Sequence, residues 1–197
     1  MGRRVRHDGG MARLPAVLCT DDLPLPELCA ARLDGELMAI GGGWCPVDEP
    51  DLPALRAAAV APVPPGRLIV ERRSAAWVHG ALPAPPAVAE YCIPYADRGS
   101  SWIDPSCIVR EVVIEAAEVV EIGGIRCTTP TRTGFDLLRD AEADDAEVAW
   151  VVSALLETTP GLDERLRTRV AAAHRLPHKS RALARLDAAV RQPSLTR

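Results

Sequence analysis

The sequence predicts an α+β protein in which a winged helix-turn-helix domain precedes a mixed α/β domain with a small sheet and C-terminal helices. Three observations support this prediction: a helical segment followed by two glycine-linked extended segments near the start, β-rich segments in the middle, and helical apolar spacing toward the end. Apolar residues make up 48% and charged residues 25% of the 197 positions, values typical of a globular chain rather than a disordered one.

The first domain is expected over residues 14–61. A short helix is predicted from Leu14 to Cys19 or Leu23, and a second helix over 24–33. Two prolines suit the first turn of the second helix, where a missing N–H does no harm. Apolar side chains then recur through it at helical spacing, namely Leu25, Leu28, Cys29 and Leu33.

A wing is predicted directly after this helix. Two short extended segments, 36–40 and 44–47, are joined by the glycine turn 41–43. Another short helix is expected over 51–59. The proline-rich segment 62–66 has the composition of a stiff linker, and we place the domain boundary there.

The second domain, residues 67–197, is predicted to combine a β-rich core with flanking helices. It opens with a short helix over 74–80, for which Ser74 is the expected N-cap and Gly80 the expected stop. Extended segments, the last of them a hairpin closed by two glycines, follow at 88–94, 107–114 and 119–128. Thr129 can cap the next helix, with proline in its first position, and further helices are expected at 146–156, 163–174 and 180–190.

Charge is distributed unevenly along the chain. The net charge is −4, but the arm 1–13, expected to be mobile, carries +3, residues 14–60 carry −6 and residues 164–197 carry +7. Two basic ends that flank an acidic body favour contact with a nucleic acid or an acidic partner. The candidate nucleic-acid-binding residues are therefore cations of the arm, of helix 24–33 and of the tail: Arg3, Arg4, Arg6, Arg13, Arg32, Arg165, Arg167, Arg169, Arg175, Lys179, Arg181 and Arg185.

Motifs for catalysis, cofactors and metal ions are missing from the sequence. It has no G-x-x-x-x-G-K-[ST] phosphate loop, no G-x-S-x-G nucleophile elbow and no C-x-x-C pair. The acidic run 140–147 is expected to be a solvated face, and Pro177 separates His174 from His178. We therefore expect a protein that is not an enzyme and that binds no cofactor or metal.

Six cysteines, none closely paired, are expected to be reduced and to act as buried small hydrophobic residues. The first residues are charged and lack the apolar core of a secretory signal. No stretch approaches the roughly 18 apolar residues that a membrane span requires. These features predict a cytoplasmic protein without a membrane partner.

Two segments, considered together, resemble the AbiEi family of antitoxins from type IV toxin-antitoxin systems, especially its actinobacterial members. They are Arg72 to Pro83, which reads RRSAAWVHGALP, and Ile122 to Leu138, which reads IGGIRCTTPTRTGFDLL. The similarity extends over roughly residues 14–160. It implies a winged helix that binds operator DNA to repress its own operon, and a second domain that counteracts a nucleotidyltransferase-type toxin without enzymatic activity. The residues singled out by the matching segments are Ser74, Trp77, Thr129, Arg132 and Thr133.

Several alternatives stay open at this point. Arg132 and Thr133 face either a toxin or DNA, or they belong to a capped helix start whose arginine is tied to neighbouring carboxylates. Trp77 is expected in the core, and the tail arginines either bind nucleic acid or are simply solvated. The acidic first domain repels a duplex unless the arm or the tail reaches it. The alternative function is a protein-interaction module whose winged helix no longer binds DNA.

Overall fold

The computed structural model describes residues 15–60, 67–97, 107–173 and 177–192. Its helices are α1 (Leu25–Leu33), α2 (Pro53–Val60), α3 (Arg72–Val78), α4 (Pro130–Leu138), α5 (Asp145–Thr158), α6 (Leu162–Ala172) and α7 (Lys179–Arg191). Its strands are β1 (Leu37–Ile40), β2 (Gly43–Pro46), β3 (Ile69–Val70), β4 (Ala89–Pro94), β5 (Cys107–Val112), β6 (Val119–Ile122) and β7 (Ile125–Thr128). The predicted α+β class is confirmed.

Helix α1 and the β1–β2 hairpin have the predicted order of a helix and a wing. Leu37 pairs with Pro46 and Ile40 with Gly43 across the antiparallel hairpin. Of the four apolar residues at helical spacing in α1, Leu28 alone is buried, in a small cluster with Leu18 and Leu37. The helix is therefore anchored through one side chain.

The helix predicted from Leu14 to Cys19 or Leu23 is wrong for the described residues, which begin at residue 15. Leu18 instead forms an antiparallel bridge to Trp44 of β2, with N–O distances of 2.7 and 2.9 Å. The Asp22 carboxylate accepts a hydrogen bond from the Cys19 amide at 2.8 Å. This local side-chain bond offers the backbone an alternative to helix. The segment consequently lies beside the wing as an added extended stretch.

The five remaining strands form one mixed sheet in the order β5-β4-β3-β7-β6. β3 pairs antiparallel with β4 and parallel with β7, β4 pairs parallel with β5, and β6 pairs antiparallel with β7. The predicted hairpin at 119–128 is confirmed, because Ile122 lies opposite Ile125. Gly123 and Gly124 have φ of +59° and +82°, which a two-residue hairpin turn requires.

Helices α2 to α7 contribute buried side chains to one apolar core that also includes residues of the five-stranded sheet. Helix α2 packs against α3 and β7, and the Tyr91 hydroxyl donates a hydrogen bond to the Val60 carbonyl at 2.6 Å. Residues 61–66, where we place the domain boundary, lie outside the described residues. That boundary stays a prediction.

The cysteines only partly match the expected burial. All six are free thiols, and Cys45, Cys92 and Cys127 are buried. Cys29 is exposed on α1, contrary to the expectation of a buried small hydrophobic residue. The reason is that α1 turns a single apolar position toward the hairpin, so the next position along lies on its open flank.

Candidate functional site

The first AbiEi-like segment forms helix α3 and the turn after it. The helix begins at Arg72 with Glu71 as its N-cap, so the prediction that Ser74 is the N-cap is wrong. Ser74 lies inside the helix, fully buried, and its hydroxyl accepts a hydrogen bond from the Glu90 amide at 2.9 Å. Trp77 is buried in the core, as expected, with the Arg56 guanidinium 5.9 Å from its ring centre. Both side chains tie α3 to its neighbours.

The second AbiEi-like segment forms the end of β7 and helix α4. Thr129 caps α4 as predicted, because its hydroxyl accepts from the Arg132 amide at 3.3 Å and Pro130 occupies the first turn. Thr133 is buried, and its hydroxyl lies 2.7 Å from the hydroxyl of Thr128. These contacts make the segment a firmly anchored helix start.

Arg132 is 5% exposed, and it is held by carboxylates rather than presented to a partner. Its Nε donates to the Asp136 carboxylate at 2.8 Å. Its Nη1 donates both to the Glu118 carboxylate at 2.6 Å and to the Val113 carbonyl at 3.0 Å. Of the two interpretations of Arg132 and Thr133, the capped helix start with a tied arginine is confirmed. Both side chains are buried, and a toxin- or DNA-facing role for this pair stays a prediction.

A chain of buried ion pairs extends from Arg132 across the sheet. Asp136 also lies 3.5 Å from Arg110, and Arg110 makes two bonds of 2.6 Å to Glu71. Glu71 and Asp136 are almost completely buried. We call the set Glu71, Arg110, Asp136, Arg132 and Glu118 the buried ion-pair chain. It joins α3, β5, α4 and the segment before β6.

The buried ion-pair chain contains residues that the sequence did not single out. Glu71, Arg110 and Glu118 are 14 to 39 positions from their partners, so no local pattern joins them. The one signal available in the sequence is the four-residue spacing of Arg132 and Asp136, which places both on one helix face.

The two AbiEi-like segments meet at His79. Its Nε2 atom lies 2.7 Å from the Thr128 carbonyl oxygen and 3.8 Å from the Cys127 sulfur. Burial lowers the pKa of His79 and raises the pKa of Cys127 to about 12. A nucleophilic cysteine needs the opposite, an accessible thiolate with a lowered pKa. This histidine and cysteine are therefore suited to holding the fold together rather than to catalysis.

The predicted basic tail forms α6 and α7, and arginines of α7 bond to α5 and to the segment between α4 and α5. Arg185 is 2% exposed and donates to the carbonyls of Leu138, Asp140 and Ala143 at 3.0, 2.6 and 2.6 Å. This burial leaves no exposed guanidinium for a phosphate in this conformation, and its place among the nucleic-acid-binding residues stays a prediction. Hydrogen bonds from Arg185 and Arg181 lower the pKa of Asp145, which both arginines contact at 2.7 Å.

The other described tail cations among the candidate nucleic-acid-binding residues also have partners within the chain. Arg167 pairs with Asp187 at 2.8 Å, and Arg169 pairs with Glu118. The remaining bonds are weaker or made to the backbone: Arg165 donates to the Thr131 hydroxyl at 3.3 Å, and Lys179 donates to the Ala171 carbonyl at 2.7 Å. Arg3, Arg4, Arg6, Arg13 and Arg175 lie outside the described residues.

A groove of about 620 Å³ lies between α4 and α6. Phe135 contributes to its lining, and the Arg169 guanidinium lies 4.6 Å from the centre of that ring. Thr131, Thr168 and Arg165 supply its polar edge. Arg169 therefore stacks on the Phe135 ring in this groove, and its positive charge is partly neutralised because it is also paired with Glu118.

The surface of α1 and the hairpin is rich in exposed carboxylates and apolar side chains. Arg32 is exposed on α1, as the prediction requires, but the other outward positions of the helix are apolar, proline or acidic. All eight carboxylates of residues 15–60 are exposed. Arg32, the one candidate nucleic-acid-binding residue of this helix, therefore lies on a surface whose other exposed groups are mainly acidic or apolar.

The described residues contain no group of three or more histidine, cysteine, aspartate or glutamate side chains placed to hold a metal ion. Within the same part of the chain, no helix is both long enough and apolar enough to cross a bilayer.

Comparison with known proteins gives a structural likeness but no family. The sequence matches no protein-family model, and no curated protein matches it. Among solved structures, the crystal structure of the RV2827C protein from Mycobacterium tuberculosis aligns with 89% of this chain and 72% of its own chain. The TM-score is 0.48 and the sequence identity is 18%.

Proposed function

We propose that the chain is a cytoplasmic antitoxin that counteracts a nucleotidyltransferase-type toxin, functionally or by contact, and performs no chemistry itself. The resemblance of residues 72–83 and 122–138 to the AbiEi antitoxins supports this proposal. The observation that carries it furthest is the packing of these two distant segments on each other, through the His79–Thr128 hydrogen bond and the contact between α3 and α4. A protein that acts by binding, rather than by catalysis, needs the elements that form its surface to be held in fixed positions.

The state of the buried reactive groups agrees with this proposal. Burial raises the pKa of the Cys92 thiol, which favours its neutral form. Glu71 and Asp136 are engaged by arginines of the buried ion-pair chain. Carboxylates and thiols in these states stabilise a fold, whereas general bases and nucleophiles must be accessible to a substrate.

Co-expression with a toxin tests the proposal. The open reading frame adjacent to this gene, if it encodes a nucleotidyltransferase-type protein, is expressed from an inducible promoter with and without the chain. We expect growth arrest without the chain and recovery with it, and size-exclusion chromatography of the two proteins together then decides whether they act by contact. Recovery without co-elution would argue against protein contact, and continued arrest would argue against an antitoxin.

Repression of its own operon is a second candidate function. The order of α1 and the β1–β2 hairpin favours it, because a recognition helix followed by a wing is a common arrangement for binding a duplex. Arg32 and the four arginines at positions 3–13 would supply the phosphate contacts. The alternative of an interaction module that no longer binds DNA is favoured by the exposed carboxylates of residues 15–60.

A gel-shift titration with the DNA upstream of the gene separates these two candidates. A repressor that makes 6–10 phosphate contacts loses roughly 1,000- to 100,000-fold in affinity between 50 and 200 mM salt. Replacement of Arg3, Arg4, Arg6 and Arg13 by alanine would then abolish the shift. If the chain gives no gel shift at low salt, the result favours the interaction module that no longer binds DNA over the repressor.

A further inference from the structure

The groove between α4 and α6 is large enough to hold a small molecule. Its volume of about 620 Å³ falls within the range of roughly 300–1,000 Å³ that is typical of ligand pockets. Thr131 and Phe135 line it from α4, and their four-residue spacing places both on one face of that helix. Arg165 and Ala172 line it from α6, about two turns apart. We call this space the α4–α6 groove.

The base of the α4–α6 groove is tightly packed. Leu166 of α6 lies against Gly134 of α4, where an added Cβ would come within 3.1 Å of a Leu166 methyl carbon. Phe135 is 6% exposed, and the Arg169 guanidinium lies 4.6 Å from the centre of its ring. Arg169 is held in turn by its ion pair with Glu118. A ligand therefore enters between walls that are already fixed, and few side chains have to be ordered when it binds.

Arg165 places an exposed, unpaired cation on the wall of this groove. Within the described residues its one hydrogen bond is weak, from Nε to the Thr131 hydroxyl at 3.3 Å, and no carboxylate pairs with it. The two terminal nitrogens of its guanidinium are therefore free to donate. Thr168 also lines the groove, and its hydroxyl has no hydrogen-bond partner in the part of the chain that the structure describes. These side chains together offer several donors to one anionic group.

The charges around the groove select a ligand with a single negative charge. A guanidinium binds a carboxylate or a phosphate through two parallel N–H···O bonds. Arg165 is the one unpaired arginine of the lining, because Arg169 is paired with Glu118. Glu164, which also lines the groove, is exposed and repels a second negative charge. A carboxylate fits this balance better than a phosphate monoester, which carries close to two negative charges at neutral pH.

The rest of the lining is apolar and consists of Phe135, Ala172 and Ala173. We infer that the α4–α6 groove binds a small carboxylate whose apolar body has one or two rings. Arg165 pairs with the carboxylate, the Thr168 hydroxyl donates to it, and the apolar body packs along Ala172 and the edge of the Phe135 ring. This inference goes beyond the proposed antitoxin function, because it requires neither a toxin nor DNA.

An NMR titration of the isotope-labelled full-length chain with 2-naphthoate tests the inference. We expect amide shifts that saturate in α4 and α6 and that spare α1 and the β1–β2 hairpin. Two further probes keep the naphthalene ring and change the charge: 2-naphthalenemethanol is neutral, and 2-naphthyl phosphate is largely a dianion at about pH 8. Each should bind about tenfold more weakly than 2-naphthoate, because the alcohol lacks the charge-assisted bonds and the phosphate is repelled by Glu164.

Helix α6 supplies two pairs of matched variants. Arg165→Gln removes the unpaired cation and should weaken 2-naphthoate binding about tenfold, to the affinity of the neutral alcohol. Arg167→Gln removes an arginine that pairs with Asp187 at 2.8 Å outside the groove, and it should leave binding unchanged. Ala172→Leu fills the groove and should also weaken binding about tenfold or more, whereas Ala171→Leu, at an exposed position outside the lining, should not. Alanine and leucine are both strong helix formers, so both leucine variants are expected to fold.

Several results would overturn the inference. They are amide shifts that do not saturate or that spread over the whole chain, equal binding of 2-naphthoate and the neutral alcohol, wild-type binding by Arg165→Gln or Ala172→Leu, and tighter binding of the phosphate than of the carboxylate. Growth recovery in the co-expression experiment is a separate measurement. The antitoxin proposal can therefore fail while this site stands, and a failed titration leaves the antitoxin proposal intact.

Discussion

The Nε2 atom of His79 lies 2.7 Å from the main-chain oxygen of Thr128, and this contact joins the turn after α3 to the end of β7. Burial is the main cause that lowers the pKa of His79, and the Thr128 carbonyl opposes part of that lowering. The imidazole is therefore neutral in the folded protein at pH 7, and it donates a hydrogen bond from Nε2 to the Thr128 carbonyl in that form.

The first prediction concerns the pH dependence of stability. In the unfolded chain a histidine binds a proton near pH 6.5, whereas the folded pKa of His79 is lower. The unfolded state therefore takes up the proton first, and stability falls as pH decreases from about 7 through the folded pKa. Urea unfolding at several pH values should show a smaller acid-side loss for His79→Gln than for the wild type. Equal losses in the two proteins would contradict this account.

The second prediction concerns Arg132. Arg132→Met removes the buried cation that bonds both Asp136 and Glu118, and we expect a loss of about 3–5 kcal/mol in the free energy of unfolding. Arg139→Met on the same helix is the control. Its guanidinium lies 3.9 Å from Asp136 and is partly exposed, so the loss should be about 1 kcal/mol or less.

Urea unfolding followed by tryptophan fluorescence measures both variants. A well-folded Arg132→Met protein that has lost toxin neutralisation would revive a direct contact role for Arg132. If the variant loses stability and toxin neutralisation together, the loss of neutralisation follows from disrupted packing of α4.

The third prediction concerns Arg185. Arg185→Met removes the donor for three main-chain carbonyls and one partner of Asp145, and we expect a loss of about 2–4 kcal/mol. Arg191→Met lies at the exposed end of the same helix and should change the free energy of unfolding by about 0.5 kcal/mol or less. Thermal or urea unfolding distinguishes the two. Similar small effects would mean that Arg185 is accessible in solution.

The elements that the sequence predicts well are those set by neighbouring residues. Thr129 and Pro130 specify the start of α4 because the cap and the missing N–H act within one turn. The Gly123-Gly124 hairpin follows equally from local backbone freedom. By contrast, Ser74 is a good N-cap in isolation, but the extended Glu71 begins the helix three residues earlier and Ser74 bonds to β4 instead.

The features that the sequence does not predict depend on distant partners. Glu71 and Arg110 are 39 positions apart, and Arg185 lies 47 positions from Leu138, so composition alone made the tail arginines resemble a free cationic surface. In α1 the apolar spacing predicts a helix correctly. It cannot predict which of the four apolar positions the single hairpin will cover. Tertiary packing decides both cases.

The fourth prediction concerns Gly43, which lets the segment around Leu18 approach the wing. A Cβ added at Gly43 would lie 2.6 Å from the Leu18 carbonyl oxygen and 2.7 Å from a Val17 methyl group. That same carbonyl accepts the Trp44 amide at 2.9 Å, so the backbone bridge has to open to make room. We expect Gly43→Ala to lower the free energy of unfolding by about 1–3 kcal/mol and to speed hydrogen exchange at the Trp44 amide.

Gly35→Ala is the control for this substitution, because it adds the same methyl group in open space. Its φ of +76° makes alanine unfavourable by about 1 kcal/mol, but no atom lies within 4 Å of the added Cβ. Exchange at Trp44 should therefore stay at the wild-type rate in Gly35→Ala. If Gly43→Ala also leaves that rate unchanged, the Leu18–Trp44 bridge does not hold the wing, and the position of α1 beside it must depend on Leu28 and Leu37 alone.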